Sequence, residues 1–447
     1  MCRLPDRPVP KRQPPALAAQ PRAIIPLKGV VCGQEVLTLF DHIKIEGFRS
    51  FKKVELDLAP LSVLIGPNNG GKSNFLDLMS LMAEAGQGQL EEGIDSRGGF
   101  RGIASGFRWL GEVVIEFRFQ AERLRRFSPY LEIPPLPGLP GIQEPDIRYM
   151  LAIASPAFGT SRVQVEEATE RVLPHQPRPE VLMTRGKDGC AFRFIDPATG
   201  LETQESKALE SESELAIFQV RDLYRFPILY KLLKQFQEWT LYRDINVGPE
   251  APMRLPRLVR PTVRLAPDGG NLSSVLNSIQ QQHPGVWDEI VELLRIAYPD
   301  FKTITFPPEG GDGKVVLRWW ESPFEKEGVS ANFLSDGTLK FLCLVAILKS
   351  PDPPPLICID EPEIGLHPDW IKLVAEMMQS AAARTQVIVA THSPQIIAEL
   401  DPEQVIVTEK ENGETRLNRL ERRDLEKWLK NFNLSELWLA GHFGGLP

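Results

Sequence analysis

Apolar positions along this chain follow two periods, and the alternation between them predicts a mixed α/β fold. Residues 61–65 (Leu-Ser-Val-Leu-Ile) form a short apolar run of the kind a fully buried strand carries. Residues 73–84 follow as a helix, with Phe75, Leu76, Leu78, Met79, Leu81 and Met82 making a broad apolar face. Two further buried-strand runs are 356–359, ending in Asp360-Glu361, and 386–390, leading into Thr391-His392-Ser393. Residues 43–46, 54–58, 113–119, 149–154, 162–167, 181–183 and 190–195 read as strands of an antiparallel layer. From 211 to 241 the spacing turns helical (Leu215, Ile217, Phe218, Val220, Leu223, Tyr224, Ile228, Leu229, Leu232, Leu233), and 272–297 is helical again. A helix over 339–349, a strand over 404–408, a turn at Glu411-Asn-Gly413 and a helix over 421–430 complete the pattern.

Between the first buried strand and its helix, Gly66-Pro-Asn68-Asn69-Gly70-Gly71-Lys72-Ser73 completes GxxxxGK[ST], the phosphate loop. The glycines let backbone N–H groups turn onto phosphate oxygens at the positive end of the helix. Lys72 reaches the β- and γ-phosphates, and Ser73 offers its hydroxyl to Mg²⁺. The nucleotide-binding set in this segment is Gly66, Asn68, Asn69, Gly70, Gly71, Lys72, Ser73 and Asn74, with ATP and Mg²⁺ as the cofactors.

The strand ending in Asp360-Glu361 supplies two carboxylates that face opposite sides of the backbone. Asp360 is placed to hold Mg²⁺ beside Ser73, and Glu361 to polarise the attacking water. His392 follows a buried strand at the end where α/β sheets bind ligands, so it is read as a γ-phosphate contact. Ser335-Asp336-Gly337-Thr338 precedes a helix and makes a second anion-binding N-terminus. Two phosphate grips in one chain imply a nucleotide held between two copies. Lys72 and Asp360 lie 288 positions apart, so a large insertion splits the core.

The order of these motifs, with Pro362-Glu363-Ile364-Gly365-Leu366-His367-Pro368 after the carboxylates, resembles an ABC-type ATPase. The opening Ile43-Lys-Ile-Glu-Gly-Phe48-Arg49-Ser50-Phe51 narrows the resemblance to the SMC/RecF-like branch, the stand-alone AAA family ATPases of bacteria and archaea related to the OLD-family ATPase domains. It covers about residues 39–125 and 260–447. It implies Ser73 and Asp360 as metal ligands, Glu361 and His392 as the catalytic pair, and Ser335 and Gly337 as contacts made in trans. By the same likeness 363–365 is a dimer-spanning loop and Arg49 a basic residue near the nucleotide. Asp336 departs from transporter ATPases, which carry glycine there, and Gln120 is a weak candidate for the family's glutamine loop.

The expected architecture is an α/β ABC-type ATPase head with a parallel phosphate-loop sheet, an antiparallel β layer and an inserted helical arm. Residues 1–38, with seven prolines and no apolar periodicity, are expected to be a disordered extension or an arm that touches nucleic acid. Residues 39–204 are the first ATPase lobe, 205–300 the helical arm, and 301–447 the second lobe. The proline-rich stretch 133–140 is an exposed loop. The arm is too short and proline-broken for a long coiled coil and contains no CxxC hook.

Composition adds boundaries to this picture. No apolar stretch is long enough to span a membrane, and the five cysteines (2, 32, 190, 343, 358) show no CxxC pairing, as in a reduced cytoplasmic protein. A net charge of −8 argues against indiscriminate nucleic-acid binding. Locally, Lys231, Lys234, Arg243, Arg254, Arg257, Arg260 and Arg264 enrich the arm in positive charge, which reads either as contact with DNA phosphates or as a solvated helical face. Trp319-Trp320 reads as packing rather than base stacking. Only 55 residues follow His392, too few for the TOPRIM-type nuclease of OLD-like relatives, so a nuclease or toxin effector is expected on a separate chain.

Three function classes remain open from sequence. The favoured one is an ATPase that dimerises around ATP and couples this to DNA sensing or processing, in repair or antiphage defence. The second is a transporter ATPase subunit, which the long insertion and the Phe48-Arg49-Ser50-Phe51 opening count against. The third is a regulatory scaffold or switch for a protein partner that binds ATP but barely turns it over, which the intact Lys72, Asp360, Glu361 and His392 count against.

Overall fold

Strands that read as unbroken apolar runs must be covered on both faces, and the computed structural model shows what covers them. It describes residues 39–444 apart from 108–110, 121–145, 156–160, 172–179, 188, 196–200, 310–312 and 323–325. The extension 1–38 and the proline-rich 133–140 lie outside the described residues.

The chain begins with β1 (Phe40–Phe48) and β2 (Phe51–Asp57), then β3 (Leu61–Ile65), which leads into the phosphate loop. β4 (Glu112–Gln120), β5 (Asp146–Ala154), β6 (Arg162–Arg171), β7 (Glu180–Gly186), β8 (Gly189–Ile195) and β9 (Glu202–Lys207) join the first two in an eight-stranded antiparallel sheet of order β2-β1-β4-β5-β6-β7-β8-β9. β10 (Thr240–Tyr242) returns to the sheet that contains β3, at its edge. Short strands β11 (Arg257–Leu258) and β13 (Lys314–Val315) pair with each other, and β12 (Phe301–Thr305), β14 (Arg318–Glu321) and β15 (Val329–Ser330) form a small sheet. β16 (Leu356–Asp360), β17 (Gln386–Ala390), β18 (Val405–Glu411) and β19 (Glu414–Arg419) then complete a six-stranded sheet of order β10-β16-β17-β3-β18-β19. Its first five strands run parallel, and β19 closes the edge as an antiparallel hairpin partner of β18.

Period-two alternation divides these parallel strands between two cores. Leu64, Leu356, Cys358, Ile388 and Ala390 face the core shared with the antiparallel sheet and the helix Lys72–Gly86. Leu61, Val63, Ile65, Ile357, Ile359, Val387 and Val389 face the opposite core, shared with the helices Leu272–Gln282, Pro284–Ala297, Asp336–Leu348 and Pro368–Ala382. Each strand is thus buried twice over, and every apolar residue in it has a face to fill.

The helices that lie between residues 205 and 300 dock onto these two cores. Residues 211–241, which read as one helical stretch, resolve into a 3-10 turn (Ala216–Gln219), a helix (Pro227–Glu238) and the strand β10. Phe236 and Trp239 lock this segment into an aromatic cluster with Phe40, Phe117 and Phe119, with ring centroids 4.9–5.8 Å apart. The stretch 272–297 breaks at His283-Pro284 into two helices, because Pro284 cannot donate a backbone hydrogen bond and starts the second helix instead. Trp319 is buried against Tyr298 and Phe301, a packing role. The helix expected over 421–430 is regular only for Arg422–Leu425.

This docking also disposes of most of the basic residues. Lys231 and Arg254 are buried, Arg243 pairs with Asp360, and Arg264 pairs with Glu238 and Asp352. Lys234, Arg257 and Arg260 remain exposed. Reading Arg254 as a DNA contact is therefore corrected. Its guanidinium donates to the carbonyls of Val247, Gly248, Ala331, Asn332 and Leu334 and to the Asp336 carboxylate, so it serves as a buried tie for the segment before the Ser335 helix. A charge buried this way persists only because its donors are matched by acceptors.

Candidate functional site

Parallel strands deliver their C-terminal residues to one edge, and there the sequence motifs meet. Register pairs Asp360 with Ala390, and Ala390 with Leu64, so Asp360-Glu361, Thr391-His392 and the phosphate loop emerge side by side. The Thr391 backbone N–H donates to Leu64 O at 3.1 Å, which continues the ladder to the strand ends.

The phosphate loop needs its glycines for conformation and for space. Gly66 and Gly71 have φ of 144° and 107°. A Cβ on Gly66 would stand 2.2 Å from Thr408 O, and one on Gly71 would stand 2.4 Å from Thr415 Oγ1. β18 and β19 therefore form the floor on which the loop rests. The Thr415 hydroxyl lies 3.0 Å from Gly70 O and 2.8 Å from Ser50 Oγ, and Ser50 Oγ accepts from Asn74 Nδ2 at 2.8 Å. Asn68 and Asn69 are exposed at the loop's tip, Asn69 with φ of 65°. Lys72 is buried, and its ammonium donates to Gly66 O at 2.8 Å and Pro67 O at 3.0 Å. Burial pushes this ammonium down to about 8, against the opposing pull of Glu361, Asp360 and Glu363. Ser73 is exposed at the start of the helix.

Asp360 ends β16. Glu361 then takes a left-handed turn with φ of 48°, its N–H donating to Ala390 O at 2.8 Å. Non-glycine residues adopt this conformation at a cost of about 1 kcal/mol or more. Here the turn sets the Glu361 carboxylate beside His392, with Oε1 3.8 Å from Nε2. Burial and Lys72 push the His392 imidazole below its ordinary range, so it is neutral at neutral pH. Glu363 accepts at Oε1 from the Thr391 hydroxyl (2.6 Å) and from the His392 backbone N–H (2.9 Å), while its Oε2 is buried without a hydrogen-bond partner. The loop after the carboxylates is thereby joined to the histidine strand.

Ser335 and Gly337 occupy a second face. Ser335 caps the helix Asp336–Leu348 by accepting from Thr338 N at 3.1 Å, and its side chain is exposed. A Cβ on Gly337 would stand 2.7 Å from Gly365 O, so this helix start packs on the 363–365 loop. Arg49 (φ 47°) lies over the other end of the site. It donates to Asn74 Oδ1 at 3.3 Å and pairs with Asp77 at 2.7 Å.

Two placements correct or extend the reading of the sequence. Gln120 does not belong to the site. Its backbone N–H donates to Leu39 O, and Phe40 is held by Gln386 at the start of β17, the end of the sheet opposite His392. Arg243, which the motifs do not mark as a site residue, does belong: Nε donates to Asp360 Oδ2 at 3.0 Å and Nη2 to Ser73 O at 3.3 Å. Thr408 and Thr415 were equally unmarked. Their only signal is a polar residue in an otherwise apolar or alternating strand.

Among the described residues no group of three or more His, Cys, Asp or Glu side chains assembles a metal site by itself. The donor set of a Ser73 hydroxyl and one Asp360 carboxylate suits Mg²⁺, which keeps waters and shares its shell with phosphate oxygens. The loop's glycines, whose Cβ positions would collide with Thr408 and Thr415, allow the tight backbone turn that a phosphate cradle needs. Among the described residues no helix is long and apolar enough to cross a membrane, and Cys190, Cys343 and Cys358 are buried free thiols.

Comparison with known proteins agrees with this geometry. Residues 61–398 match the family described as "AAA domain, putative AbiEii toxin, Type IV TA system". Among solved structures, an SMC head bound to the C-winged helix domain of ScpA aligns with a TM-score of 0.51 at 14% identity, covering 86% of this chain and 99% of that one. The Smc head with an extended coiled coil bound to the C-terminal domain of ScpA, derived from Pyrococcus furiosus, aligns at 0.49 and 12% identity, covering 88% and 99%. The SMC head domain from Thermotoga maritima aligns at 0.41 and 14%, covering 86% and 99%. No curated protein matches the chain. A phosphate loop, a carboxylate-ended strand and a histidine strand meeting at one sheet edge, in the fold of an SMC head, agree with the family match over most of the sequence: the chain belongs to the AAA_21 family of AAA domains.

Proposed function

We propose that the protein binds ATP with Mg²⁺ on the 66–73 loop and hydrolyses it inside a dimer. Glu361 acts as general base and His392 contacts the γ-phosphate, while Ser335 and Gly337 of one protomer complete the site of the other. The observation that carries this reading is the convergence of Lys72, Asp360, Glu361 and His392 on one sheet edge, close enough for Lys72 and His392 to respond to both carboxylates. Ser73 and Asp360 would hold Mg²⁺, which would neutralise charge on the phosphates. For the dimer, the support is the exposed Ser335 face. Phe333 is 79% exposed and Ile364 59% exposed, an apolar rim around a polar helix cap.

Lys72 gives the binding step a proton signature. Near neutral pH and below, the ammonium is charged before ATP arrives; above about 8 it has lost its proton. Phosphates restore the charge, so ATP binding takes up a proton at about pH 8.5 and almost none at about pH 6.5. Affinity falls as pH rises through that window. Calorimetry in two buffers of different ionisation enthalpy reads the uptake, and zero uptake or release at the higher pH contradicts it.

The output of the cycle is proposed to be DNA sensing or processing, in repair or in antiphage defence with a separate nuclease or toxin effector. The toxin–antitoxin wording of the family description supports the defence branch. Pairing or burial of Lys231, Arg243, Arg254 and Arg264 favours a second reading, a switch that acts on a protein partner. ATP turnover with and without duplex DNA, alongside a gel shift at low salt, separates them. The DNA reading expects stimulated turnover and salt-sensitive binding. No shift at low salt, with or without ATP, leaves the protein-partner switch.

A further inference from the structure

Arg243 reaches the nucleotide site through topology alone. It follows β10, whose parallel pairing sets Tyr242 beside Ile359, so the next residue of each strand, Arg243 and Asp360, reaches the same edge. The guanidinium bridges the two residues assigned to Mg²⁺, at Asp360 through the carboxylate itself and at Ser73 through the backbone: Nε meets Asp360 Oδ2 at 3.0 Å, and Nη2 meets the carbonyl of Ser73 at 3.3 Å. The Asp360 side chain is only 12% exposed, and a half-buried carboxylate needs a counter-charge. Arg243 supplies it through its guanidinium. A divalent ion on the same carboxylate would bring like charges within about 4 Å, where they repel each other. The two cations therefore compete for the carboxylate.

We propose that Arg243 is the resident counter-cation of Asp360, and that Mg²⁺ loading displaces it. Metal binding is then an exchange of cations on one carboxylate. The consequence is that Mg²⁺ tightens nucleotide binding by less than an unoccupied carboxylate would allow. The inference rests on the nucleotide-site reading above and adds a residue that opposes the metal.

The test is equilibrium binding of a fluorescent ATP analogue to the full chain, with Mg²⁺ and with EDTA, read as the ratio of the two affinities. Taking a ratio within each variant cancels any contact Arg243 makes with nucleotide independently of metal. Arg243→Gln is expected to raise this Mg²⁺ enhancement about fivefold, the scale of a partly exposed ion pair. Arg243→Lys keeps the charge and is expected to fall between Gln and wild type; it carries the test if the Gln variant does not fold. Asp360→Asn should bring the ratio towards one. An unchanged or smaller ratio in both Arg243 variants overturns the exchange while leaving the nucleotide site intact. A wild-type protein that binds no nucleotide overturns the site assignment, and the exchange with it.

Discussion

Replacing Glu361 with glutamine is expected to leave ATP binding intact and to slow hydrolysis by about 10²–10⁴-fold, the contribution of a positioned general base. The amide matches the carboxylate in shape, so the left-handed turn at 361 and the Glu361 N–H bond to Ala390 O persist. What disappears is the negative acceptor beside His392 Nε2. A water poised against the γ-phosphate then has no base to take its proton. Lys72 loses one of the carboxylates that favour its charged form but keeps its two carbonyl acceptors, so binding changes little. Phosphate release in single turnover measures the loss, and titration with a fluorescent analogue checks the binding. The same variant should accumulate as an ATP-bound dimer by light scattering. Hydrolysis at the wild-type rate would remove Glu361 from its assigned role.

Ser335→Arg is expected to abolish hydrolysis while leaving nucleotide on the phosphate loop. Ser335 is exposed and its side-chain hydrogen bonds run to Thr338 of its own helix, so the substitution leaves the contacts of residues 66–73 alone. Losing the cap costs about 1 kcal/mol. Ser335→Asp keeps a capping oxygen and sets negative charge against phosphate, so it should lose turnover from an intact helix. Mixing tests the geometry directly. Ser335→Arg and Lys72→Ala are each inactive alone, but a mixed dimer contains one site built from an intact loop and an intact cap. Random pairing in a two-fold dimer restores up to roughly a quarter of the wild-type rate. A monomeric, fully active wild-type enzyme would sink the model.

Much of the site was legible because its chemistry is local in sequence. GxxxxGK[ST] between a strand and a helix fixes a glycine turn, a lysine and a helix N-terminus within eight residues, and backbone sterics allow few alternatives. Asp360-Glu361 and Thr391-His392 were legible for a related reason: an apolar run that stops at a polar pair marks a strand end, and strand ends are where such sheets bind ligands. What escaped were residues whose role depends on a remote partner. Thr408 and Thr415 matter because the phosphate loop lies on them. Arg243 matters because a three-residue strand, too short to show a period and hidden behind a helix, pairs with β16.

Sequence alone determined that this chain carries a split phosphate-binding core with buried parallel strands, since composition and period depend only on neighbouring residues. Tertiary structure decided which face of each strand meets which core, because an unbroken apolar run looks the same from both sides. It decided that the helices of 205–300 dock instead of standing free, since Phe236 and Trp239 find partners more than a hundred residues away in sequence at Phe117 and Phe119. It also decided the fate of the positive charges. A sequence counts Arg243, Arg254 and Arg264 alike as basic. Only the folded chain sets Arg243 on Asp360, Arg254 among buried carbonyls and Arg264 between Glu238 and Asp352, because electrostatic partners are chosen by distance in space.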